Sequence, residues 1–258
     1  MSGFRLATLF DLTGRSALVT GGNAGIGLAI ARALGLAGAA VTLVARRETE
    51  LEAAAASLRE DGIAADIAAA DLAKADAPAG LAAVLRERGE KIDILVNAAG
   101  VNLRQPFAKV TADAFDLHMA LHLRAPFLLT QALAPVMAER GFGRIINLAS
   151  LQSFRAFSDS APYGAAKGGV TQLTRAIAEE WSRFGVTCNA IAPGFFPTDL
   201  TRAVFDNPAR AAKNADQTAV GRNGAMEDLY GAAVFLASNA SAYVTGQTIA
   251  VDGGFTAK

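Results

Sequence analysis

Short apolar segments of strand length alternate along the chain with longer segments of helical composition. Strands are predicted at 16–20, 41–45, 65–70, 92–96, 144–148, 186–191 and 247–251. Helices are predicted between them at 25–37, 48–60, 77–88, 111–138, 163–184 and 227–237. Continuous apolar strands are typical of a sheet covered on both faces, and parallel neighbours need crossover connections. The pattern therefore predicts an α/β fold, with a doubly wound parallel sheet of about seven strands and helices on both faces.

Proline positions mark two irregular places in this pattern. Pro126 lies inside the predicted helix 111–138 and is expected to bend it. The segment 193–222 holds three of the eight prolines and follows a strand end, where such sheets place their ligand crevice. A loop-and-helix flap over a substrate is one interpretation of this segment, and an ordinary surface excursion is the other. Since no repeat, low-complexity tract or linker divides the chain, residues 1–258 are predicted to form one domain.

Composition narrows the classes of protein that this chain can represent. Apolar residues make up 52% of it, charged residues 19%, and the formal net charge is zero. A protein that binds nucleic acid through phosphate contacts usually has a basic surplus, so no nucleic-acid partner is expected. No membrane span is expected either, because the apolar stretch 28–45 divides into a helix and a strand. The single cysteine, Cys188, fits a reducing cytoplasm.

A glycine-rich segment, TGGNAGIG, follows the first predicted strand and opens the first predicted helix. Glycines allow a tight turn and close approach of the backbone to a pyrophosphate, while the helix offers unpaired N–H groups to the phosphates. In this position the segment predicts dinucleotide binding. Its candidate cofactor-binding residues are Gly21, Asn23, Gly25, Ile26 and Gly27.

Tyr163 and Lys167 are four residues apart at the start of a predicted helix, so their side chains are expected on one face. A phenol with a pKa near ~10 is a weak base at neutral pH. A neighbouring ammonium and the positive ring of an oxidised nicotinamide are expected to lower that pKa. Tyr163 can then exchange a proton with an alcohol or a carbonyl group, which predicts general acid–base catalysis.

Together these segments resemble the short-chain dehydrogenase/reductase family, whose motifs follow in order over nearly the whole chain. The glycine spacing is similar to the TGxxxGxG fingerprint, and residues 97–100 resemble the NNAG signature. The resemblance implies a Rossmann-type, NAD(P)-dependent oxidoreductase that assembles as a homotetramer and acts on a small molecule. It implies cofactor contacts for Asp71, Leu72, Asn97, Ala98, Gly100, Tyr163, Lys167, Pro193, Gly194 and Thr198.

The resemblance also assigns the remaining catalytic positions. Ser150 lies thirteen residues before Tyr163, as in the family, and is expected to hydrogen-bond the reacting oxygen; Ser153 is the competing serine. His122 stands where most members carry an asparagine that helps to hold a water beside the lysine. Histidine can replace these hydrogen bonds, or it can titrate near neutrality. No metal site is predicted from His118 and His122, because a third ligand is missing, and His118 is expected to be an ordinary helix residue.

The second predicted strand ends in Ala45, where NAD-preferring members carry an acidic residue, and Arg46 and Arg47 follow. A guanidinium can bind a 2′-phosphate that a carboxylate would repel. NADP is therefore the favoured cofactor and NAD the alternative. The opposing interpretation is that both arginines simply begin an exposed helix.

The substrate depends on residues outside the shared motifs. Arg104 is a candidate partner for a carboxylate, Gln152 for hydroxyl groups, and Phe195 for an apolar wall, although surface or packing roles remain open for each. Segments 10–15, 150–153, 192–200 and 231–238 resemble the gluconate 5-dehydrogenase branch, which implies a sugar-acid or polyol substrate. A 3-oxoacyl-thioester reductase is the alternative. A non-catalytic cofactor-binding sensor is the alternative of another class.

Overall fold

All the strands predicted from the apolar pattern form, and they pair in parallel. The computed structural model describes residues 5–258, so the predicted domain 1–258 begins four residues before the described part. The strands are β1 (Ser16–Thr20), β2 (Ala40–Ala45), β3 (Ala65–Ala69), β4 (Ile94–Asn97), β5 (Gly143–Leu148), β6 (Val186–Pro193) and β7 (Thr248–Val251). They make one seven-stranded sheet in the order β3-β2-β1-β4-β5-β6-β7. The predicted single-domain, Rossmann-type fold is confirmed.

Helices connect consecutive strands, as parallel pairing requires. Those described are α1 (Gly25–Leu36), α2 (Glu48–Glu60), α3 (Ala77–Glu87), α4 (Ala112–Met119), α5 (Ala125–Glu139), α6 (Ala161–Trp181), α7 (Arg202–Phe205), α8 (Pro208–Asp216) and α9 (Tyr230–Ala237). The predicted helix 163–184 begins two residues earlier and ends in a 3₁₀ turn at Ser182–Phe184. The predicted helix 227–237 begins with a 3₁₀ turn at Met226–Leu229.

The predicted helix 111–138 is interrupted. A π-helical segment, Ala120–Arg124, separates α4 from α5, so the prediction that Pro126 bends one continuous helix was wrong. Pro126 instead lies in the first turn of α5, where the missing N–H has no intrahelical partner to lose. Such π segments are rare and are frequent at functional sites.

Two apolar layers hold the helices against the sheet. Leu18 and Val19, neighbours in β1, are both 0% exposed and belong to opposite layers, because successive strand side chains point to opposite faces. One layer packs α1, α2 and α9, and the other packs α3, α5 and α6. Each fully buried Leu or Val side chain contributes about 1.5–3 kcal/mol.

The strand order reverses direction at β1, which pairs with β2 on one side and with β4 on the other. Thr20, the last residue of β1, lies opposite Val44 and Asn97, so the carboxyl ends of all three strands meet at one edge. In open parallel sheets the ligand crevice lies outside this edge, at the point of reversal. The fold therefore places the glycine-rich segment and the loop after β4 side by side.

Candidate active site

A cavity of about 400 Å³ opens at the carboxyl ends of the strands. Its wall includes the glycine-rich segment, the ends of β2 and β5, the loop after β4, the start of α6 and residues 193–204. Nearly all the candidate site residues from separate parts of the sequence therefore meet around one space.

The glycine-rich segment is held in shape by close backbone contacts. Gly21 has φ +66°, and a Cβ atom added to it would lie 2.9 Å from the Ala98 backbone. A Cβ on Gly27 would lie 2.1 Å from the carbonyl oxygen of Gly21. Larger side chains at these two positions would push the segment away from the strand ends. Gly25 and Ile26 begin α1 at the cavity, and this helix has no side-chain cap to satisfy its first N–H groups.

Thr20 joins this segment to the loop after β4. Its hydroxyl accepts hydrogen bonds from the backbone N–H groups of Ala98 and Ala99, at 3.0 and 3.1 Å. The sequence motif includes Thr20, but its position in the chain does not reveal this contact 78 residues away. Thr20 thus fixes Ala98 and Ala99, both of which line the cavity.

The two arginines after β2 differ in their surroundings. Arg47 forms an ion pair with Glu50, which also accepts a hydrogen bond from the Asn23 side chain at 2.9 Å. Arg46 is exposed, lines the cavity and makes no ion pair within residues 5–258. Its guanidinium is therefore available to an anionic group at the end of β2.

Three further cofactor candidates lie at different depths. Leu72 is buried and lines the cavity, whereas Asp71 beside it is absent from the wall and accepts a hydrogen bond from the Ala73 N–H at 3.2 Å. Asn97 lies behind the wall and donates to Asn147 on the neighbouring strand, at 2.8 Å. Asn97 therefore joins the ends of β4 and β5 and supports the neighbouring Ala98. It does not line the cavity itself.

Pro193, Gly194 and Thr198 line the side of the cavity formed by the segment after β6. Gly194 lies so close to Asp252 that an added Cβ would be 2.8 Å from the Asp252 Cα atom. Thr198 lies beside the glycine-rich segment: a Cβ atom added to Gly25 would be 3.2 Å from the Thr198 methyl group. The segment after β6 is thus packed against the glycine-rich segment.

Ser150, Tyr163 and Lys167 come together at the inner end of the cavity. The Ser150 side chain lies close enough to the Tyr163 hydroxyl to act on its pKa. The ammonium nitrogen of Lys167 lies 5.5 Å from the centre of the Tyr163 ring and donates to the carbonyl oxygen of Leu148. Ser153 does not line the cavity; its hydroxyl accepts from the Ser150 N–H and donates to the Lys167 carbonyl oxygen, at 3.3 and 2.7 Å.

Burial shifts the pKa values of both Tyr163 and Lys167. It raises the pKa of Tyr163 above its ordinary value, and the hydrogen bond from Ser150 only partly opposes this. The expected lowering of this pKa by Lys167 together with an oxidised nicotinamide stays a prediction for the cofactor-bound protein, because burial alone sets the direction here. Burial also lowers the pKa of Lys167 to about 7, so its ammonium form is itself destabilised.

His122 lies in the π-helical segment, 2% exposed, with its ring 5.2 Å from the ring of Tyr163. Its Nε2 atom is 2.8 Å from the carbonyl oxygen of Val101, and Nδ1 has no hydrogen-bond partner among the described residues. Burial, followed by the charge of Lys167, holds the pKa of His122 well below 6.5. The alternative that His122 titrates near neutrality is therefore disfavoured.

The three substrate candidates all line the cavity. Arg104 donates to the carbonyl oxygen of Ser158 at 3.0 Å, and Phe195 packs edge-on against Phe255, with ring centres 5.7 Å apart. Gln152 donates to the Ser160 hydroxyl at 3.1 Å. Asn102 and Phe157 also line the cavity, although sequence reasoning missed both. They lie in irregular loops, where no periodic pattern shows which side chains face inward.

Within residues 5–258, no group of three or more His, Cys, Asp or Glu side chains is placed to hold a metal ion. In the same part of the chain, no helix is both long and apolar enough to cross a membrane.

Comparison with known proteins agrees with this geometry. A family model described as enoyl-(acyl carrier protein) reductase matches residues 21–256. The chain belongs to the short-chain dehydrogenase/reductase family.

Within that family the chain is similar to enzymes of sugar acids. It is 41% identical over 249 residues to gluconate 5-dehydrogenase of Gluconobacter oxydans, covering 96% of this chain and 97% of that protein. It is 37% identical over 247 residues to 5-keto-D-gluconate 5-reductase of Escherichia coli K12, covering 95% and 97%. The crystal structure of a gluconate 5-dehydrogenase from Burkholderia cenocepacia, in complex with NADP and tartrate, superimposes with a TM-score of 0.94 at 41% identity, covering 98% of this chain and 100% of that one.

Proposed function

We propose that this protein is an NADP-preferring oxidoreductase that interconverts a secondary alcohol and a ketone on a sugar acid. The observation that carries this proposal is the meeting of Ser150, Tyr163 and Lys167 with the glycine-rich segment in one cavity. Its relatives are named as a gluconate 5-dehydrogenase and a 5-keto-D-gluconate 5-reductase, which are opposite directions of one kind of reaction.

The cavity fits a phosphorylated nicotinamide cofactor. Gly21, Asn23, Gly25, Ile26 and Gly27 form a cradle whose close backbone contacts leave no room for Cβ atoms at Gly21 and Gly27. The first N–H groups of α1 can bind the pyrophosphate. Arg46, free of ion pairs in the described part of the chain, supports binding of a 2′-phosphate and so favours NADP over NAD. When bound, this cofactor accepts or supplies the hydride.

Leu72 and Ala98 would provide apolar contacts to the adenosine, and Asp71, beside Leu72 but outside the wall, stays the candidate that the sequence predicts near the adenine. Around the nicotinamide, Gly100, Pro193, Gly194 and Thr198 are the candidate contacts. Asn97 acts from behind this wall through its bond to Asn147. Lys167 is the candidate partner for the nicotinamide ribose hydroxyls.

Tyr163 moves the proton in the proposed reaction. Its phenol exchanges a proton with the substrate oxygen, and the Ser150 hydroxyl donates a hydrogen bond that steadies the charge on that oxygen. Because burial raises the pKa of Tyr163, positive charge must be added nearby before the phenolate becomes accessible. Lys167 in its ammonium form supplies one such charge, within 5.5 Å of the ring.

His122 supports this arrangement as a neutral residue in the proposed mechanism. Its pKa lies well below 6.5, so it adds no positive charge beside Lys167 at neutral pH. A protonated ring there would repel the ammonium group that Tyr163 needs. The proton relay behind Lys167 therefore runs past a neutral imidazole, in place of the family's usual asparagine.

The charges of the cavity favour an anionic substrate. Its charged wall residues are Arg46, Arg47, Arg104, Lys167 and Asp199, four cations and one carboxylate. Asp199 forms an ion pair with Arg202, which offsets its negative charge. Arg46 and Arg47 lie at the cofactor end, so Arg104 is the cation available to a substrate carboxylate. Phe195 supplies an apolar part of the wall.

A 3-oxoacyl-thioester reductase is the second candidate, because the chain is also similar to a solved 3-oxoacyl (acyl-carrier-protein) reductase from Agrobacterium tumefaciens, with a TM-score of 0.92 at 32% identity, covering 98% of each chain. The two candidates differ in what the cavity must hold besides the reacting carbon. A sugar acid needs polar contacts for several hydroxyl groups, and a thioester needs an open apolar path. The polar groups of Asn102, Arg104 and Gln152 on the wall favour the sugar acid.

A substrate panel tests the proposal. We expect reduction of 5-keto-D-gluconate and oxidation of D-gluconate, faster with the phosphorylated cofactor, and little turnover of a 3-oxoacyl thioester. The nicotinamide absorbance is followed with NADH and NADPH in parallel, and with NAD and NADP in the oxidising direction. Preference for the thioester would favour the second candidate, and absence of any turnover would contradict both.

Tyr163→Phe tests the acid–base role. We expect kcat to fall by about 1,000-fold or more, because the proton donor is removed from the reacting oxygen. Cofactor affinity should stay within a few-fold of the wild type, since the ring remains in place. Fluorescence titration with NADPH and the absorbance assay measure the two quantities. Retention of substantial turnover would contradict the assignment.

We also propose that the protein forms a homotetramer in the cytoplasm and that the segment 193–222 closes over the substrate. Exposed apolar side chains on α4 and α5 support the homotetramer. The single buried cysteine supports the cytoplasmic location. The short helices of residues 199–216 contribute Leu200 and Val204 to the cavity, which supports the closure.

A further inference from the structure

Asn102 is in a loop without regular secondary structure, between Gly100 and Arg104. It is one of the residues that line the cavity. Loop side chains usually have more freedom than those of helices and strands. Asn102, however, is held from three directions by residues of other elements.

His118 holds the backbone after Asn102. This histidine is fully buried in the last turn of α4, with Nδ1 2.6 Å from the carbonyl oxygen of Ala114. Its Nε2 accepts a hydrogen bond from the backbone N–H of Leu103, at 3.2 Å. A neutral ring with the proton on Nδ1 satisfies both contacts, because Nδ1–H donates to the carbonyl and Nε2 accepts.

His122 holds the backbone before Asn102. Its Nε2–H donates to the carbonyl oxygen of Val101 at 2.8 Å. Its ring also presses on Gly100, where an added Cβ would lie only 2.3 Å from the His122 Cε1 atom. The rings of His118 and His122 are 6.0 Å apart. They bond to the backbone of Leu103 and Val101, the two residues on either side of Asn102.

Ser160 orients the side chain of Asn102. Ser160 is 2% exposed, accepts a hydrogen bond from the Gln152 Nε2–H at 3.1 Å, and donates its own proton to the Asn102 Oδ1 atom at 3.0 Å. A hydroxyl has one proton, and that of Ser160 goes to the Asn102 Oδ1 atom. The Nδ2 group of Asn102 donates to no acceptor within residues 5–258 and is available to a molecule in the cavity.

We propose that Asn102 is a specificity-determining residue whose Nδ2 group donates a hydrogen bond to a hydroxyl oxygen of the substrate, between the reacting carbon and the carboxylate. The two ends of the loop segment fix this order. Gly100 lies against His122, next to the Tyr163 ring, and Arg104 presents the cation proposed for the carboxylate. Asn102 is between them. His118, His122, Ser160 and Gln152 are positioning residues that act through Asn102.

This inference rests on the proposed sugar-acid activity, and a pair of substrates separates the two. 5-Keto-D-gluconate carries the intermediate hydroxyl groups, whereas 5-oxohexanoate has the same spacing of ketone and carboxylate without them. For Asn102→Ala we expect kcat/KM to fall about 10-fold with the sugar acid, the cost of one buried hydrogen bond, and to stay unchanged with 5-oxohexanoate. An equal loss on both substrates overturns the inference.

Asn102→Asp makes the test stricter. The carboxylate still accepts from Ser160, but its free end accepts where the asparagine donated. We expect kcat/KM with the sugar acid to fall by about 100-fold or more. Leu103→Asp is the matched control, because it adds the same charge one residue along on a side chain that is 41% exposed and does not line the cavity. Equal losses in the two variants would overturn the inference.

Ser160→Ala tests the positioning role. Alone, it should lower kcat/KM about 5-fold, since Asn102 is then free to turn. Added to Asn102→Ala, it should cause no further loss; an additive loss would show that Ser160 acts elsewhere. Each variant is also measured for melting temperature and NADPH affinity, which should match the wild type. If the wild type turns over another class of substrate instead, the proposed function fails; an unchanged kcat/KM of Asn102→Asp on that substrate overturns the inference as well.

Discussion

Lys167 shows at the scale of one residue how the proposed chemistry conflicts with stability. Lys167 is 5% exposed, and within residues 5–258 its ammonium group has one hydrogen-bond acceptor, the carbonyl oxygen of Leu148. Burial lowers the pKa of Lys167 from 10.5 to about 7. Burying a charge without a compensating partner is unfavourable, so the folded protein contains a destabilising group where its catalysis needs a cation.

Lys167→Met should therefore stabilise the fold at low pH while removing activity. Between pH 7 and 10.5 the unfolded chain keeps the Lys167 proton that the folded chain loses, so the contribution of this residue to the free energy of unfolding rises with pH across that window. Below pH 7 the full cost of the buried charge remains. We expect the variant to be more stable than the wild type by about 1–3 kcal/mol at pH 6.5, with the difference shrinking toward pH 9.5.

Thermal unfolding of both proteins across this pH range measures the effect. Lys109→Met is the matched control, because Lys109 is exposed and its replacement should leave the pH dependence of the melting temperature unchanged. Parallel curves for the wild type and Lys167→Met would contradict the prediction.

The sequence identified the reacting groups at this scale but not their surroundings. Tyr163, Lys167 and Ser150 follow a spacing that can be seen in the chain. The burial that raises the pKa of Tyr163 was not foreseen, because the depth of a side chain depends on packing that spacing does not show. Asn102 and Ser160 were missed for a similar reason: they are 58 residues apart and meet only in the folded protein.

At the scale of elements, the glycine-rich turn between β1 and α1 is built from mutual backbone contacts. Gly27 lies in the first turn of α1, and its Cα faces the carbonyl oxygen of Gly21. A methyl group there would be 2.1 Å from that oxygen, well inside van der Waals contact. The backbone on one side must therefore move if Gly27 is replaced.

Gly27→Ala should abolish high-affinity cofactor binding while leaving the sheet intact. We expect the dissociation constant for NADPH to rise at least about 30-fold, because the turn is displaced from the phosphate position. Fluorescence titration measures the affinity, and far-UV circular dichroism checks the fold. Gly80→Ala, in α3, is the control: no atom lies within 4 Å of its added Cβ, and the change should be neutral or slightly stabilising. An unchanged affinity of Gly27→Ala for NADPH would contradict the proposal that the glycine-rich segment binds the cofactor phosphates.

Element boundaries were predicted well where the apolar period is regular. The helix at Glu48–Glu60 and the strand at Ser16–Thr20 agree with the sequence to the residue. The π-helical segment Ala120–Arg124 was not foreseen, because its composition is that of an ordinary helix and its one extra residue per turn leaves no local signature. Pro126 was the irregularity that the sequence shows, and the π-helical segment ends two residues before it.

At the scale of the whole molecule, α4 and α5 present an apolar surface to solvent. Phe115, Phe127 and Val136 are 44%, 49% and 46% exposed, and they lie on two consecutive helices. Clustered apolar side chains on a protein surface mark interaction sites more often than isolated ones do. These residues are the basis for the proposed homotetramer.

Phe127→Glu should dissociate the proposed assembly. We expect the wild type to have a mass of about four times 26.5 kDa in light scattering, and the variant to have a smaller mass, since a buried carboxylate would oppose association. Leu36→Glu is the control: Leu36 is 59% exposed at the end of α1, against the opposite layer of the sheet. A wild-type monomer, or equal effects of the two variants, would contradict the proposal.

The strand order has a consequence for the synthesis of the chain. Every strand after β1 pairs with a strand that precedes it in sequence: β2 and β4 with β1, β3 with β2, and β5, β6 and β7 each with the strand before. No strand has to be inserted between two that are already paired. As the chain leaves the ribosome, the sheet can therefore grow at its two free edges in the order of translation. The nucleotide cradle would be in place before Ser150, Tyr163 and Lys167 emerge, so the nascent protein could hold its cofactor before it could use it.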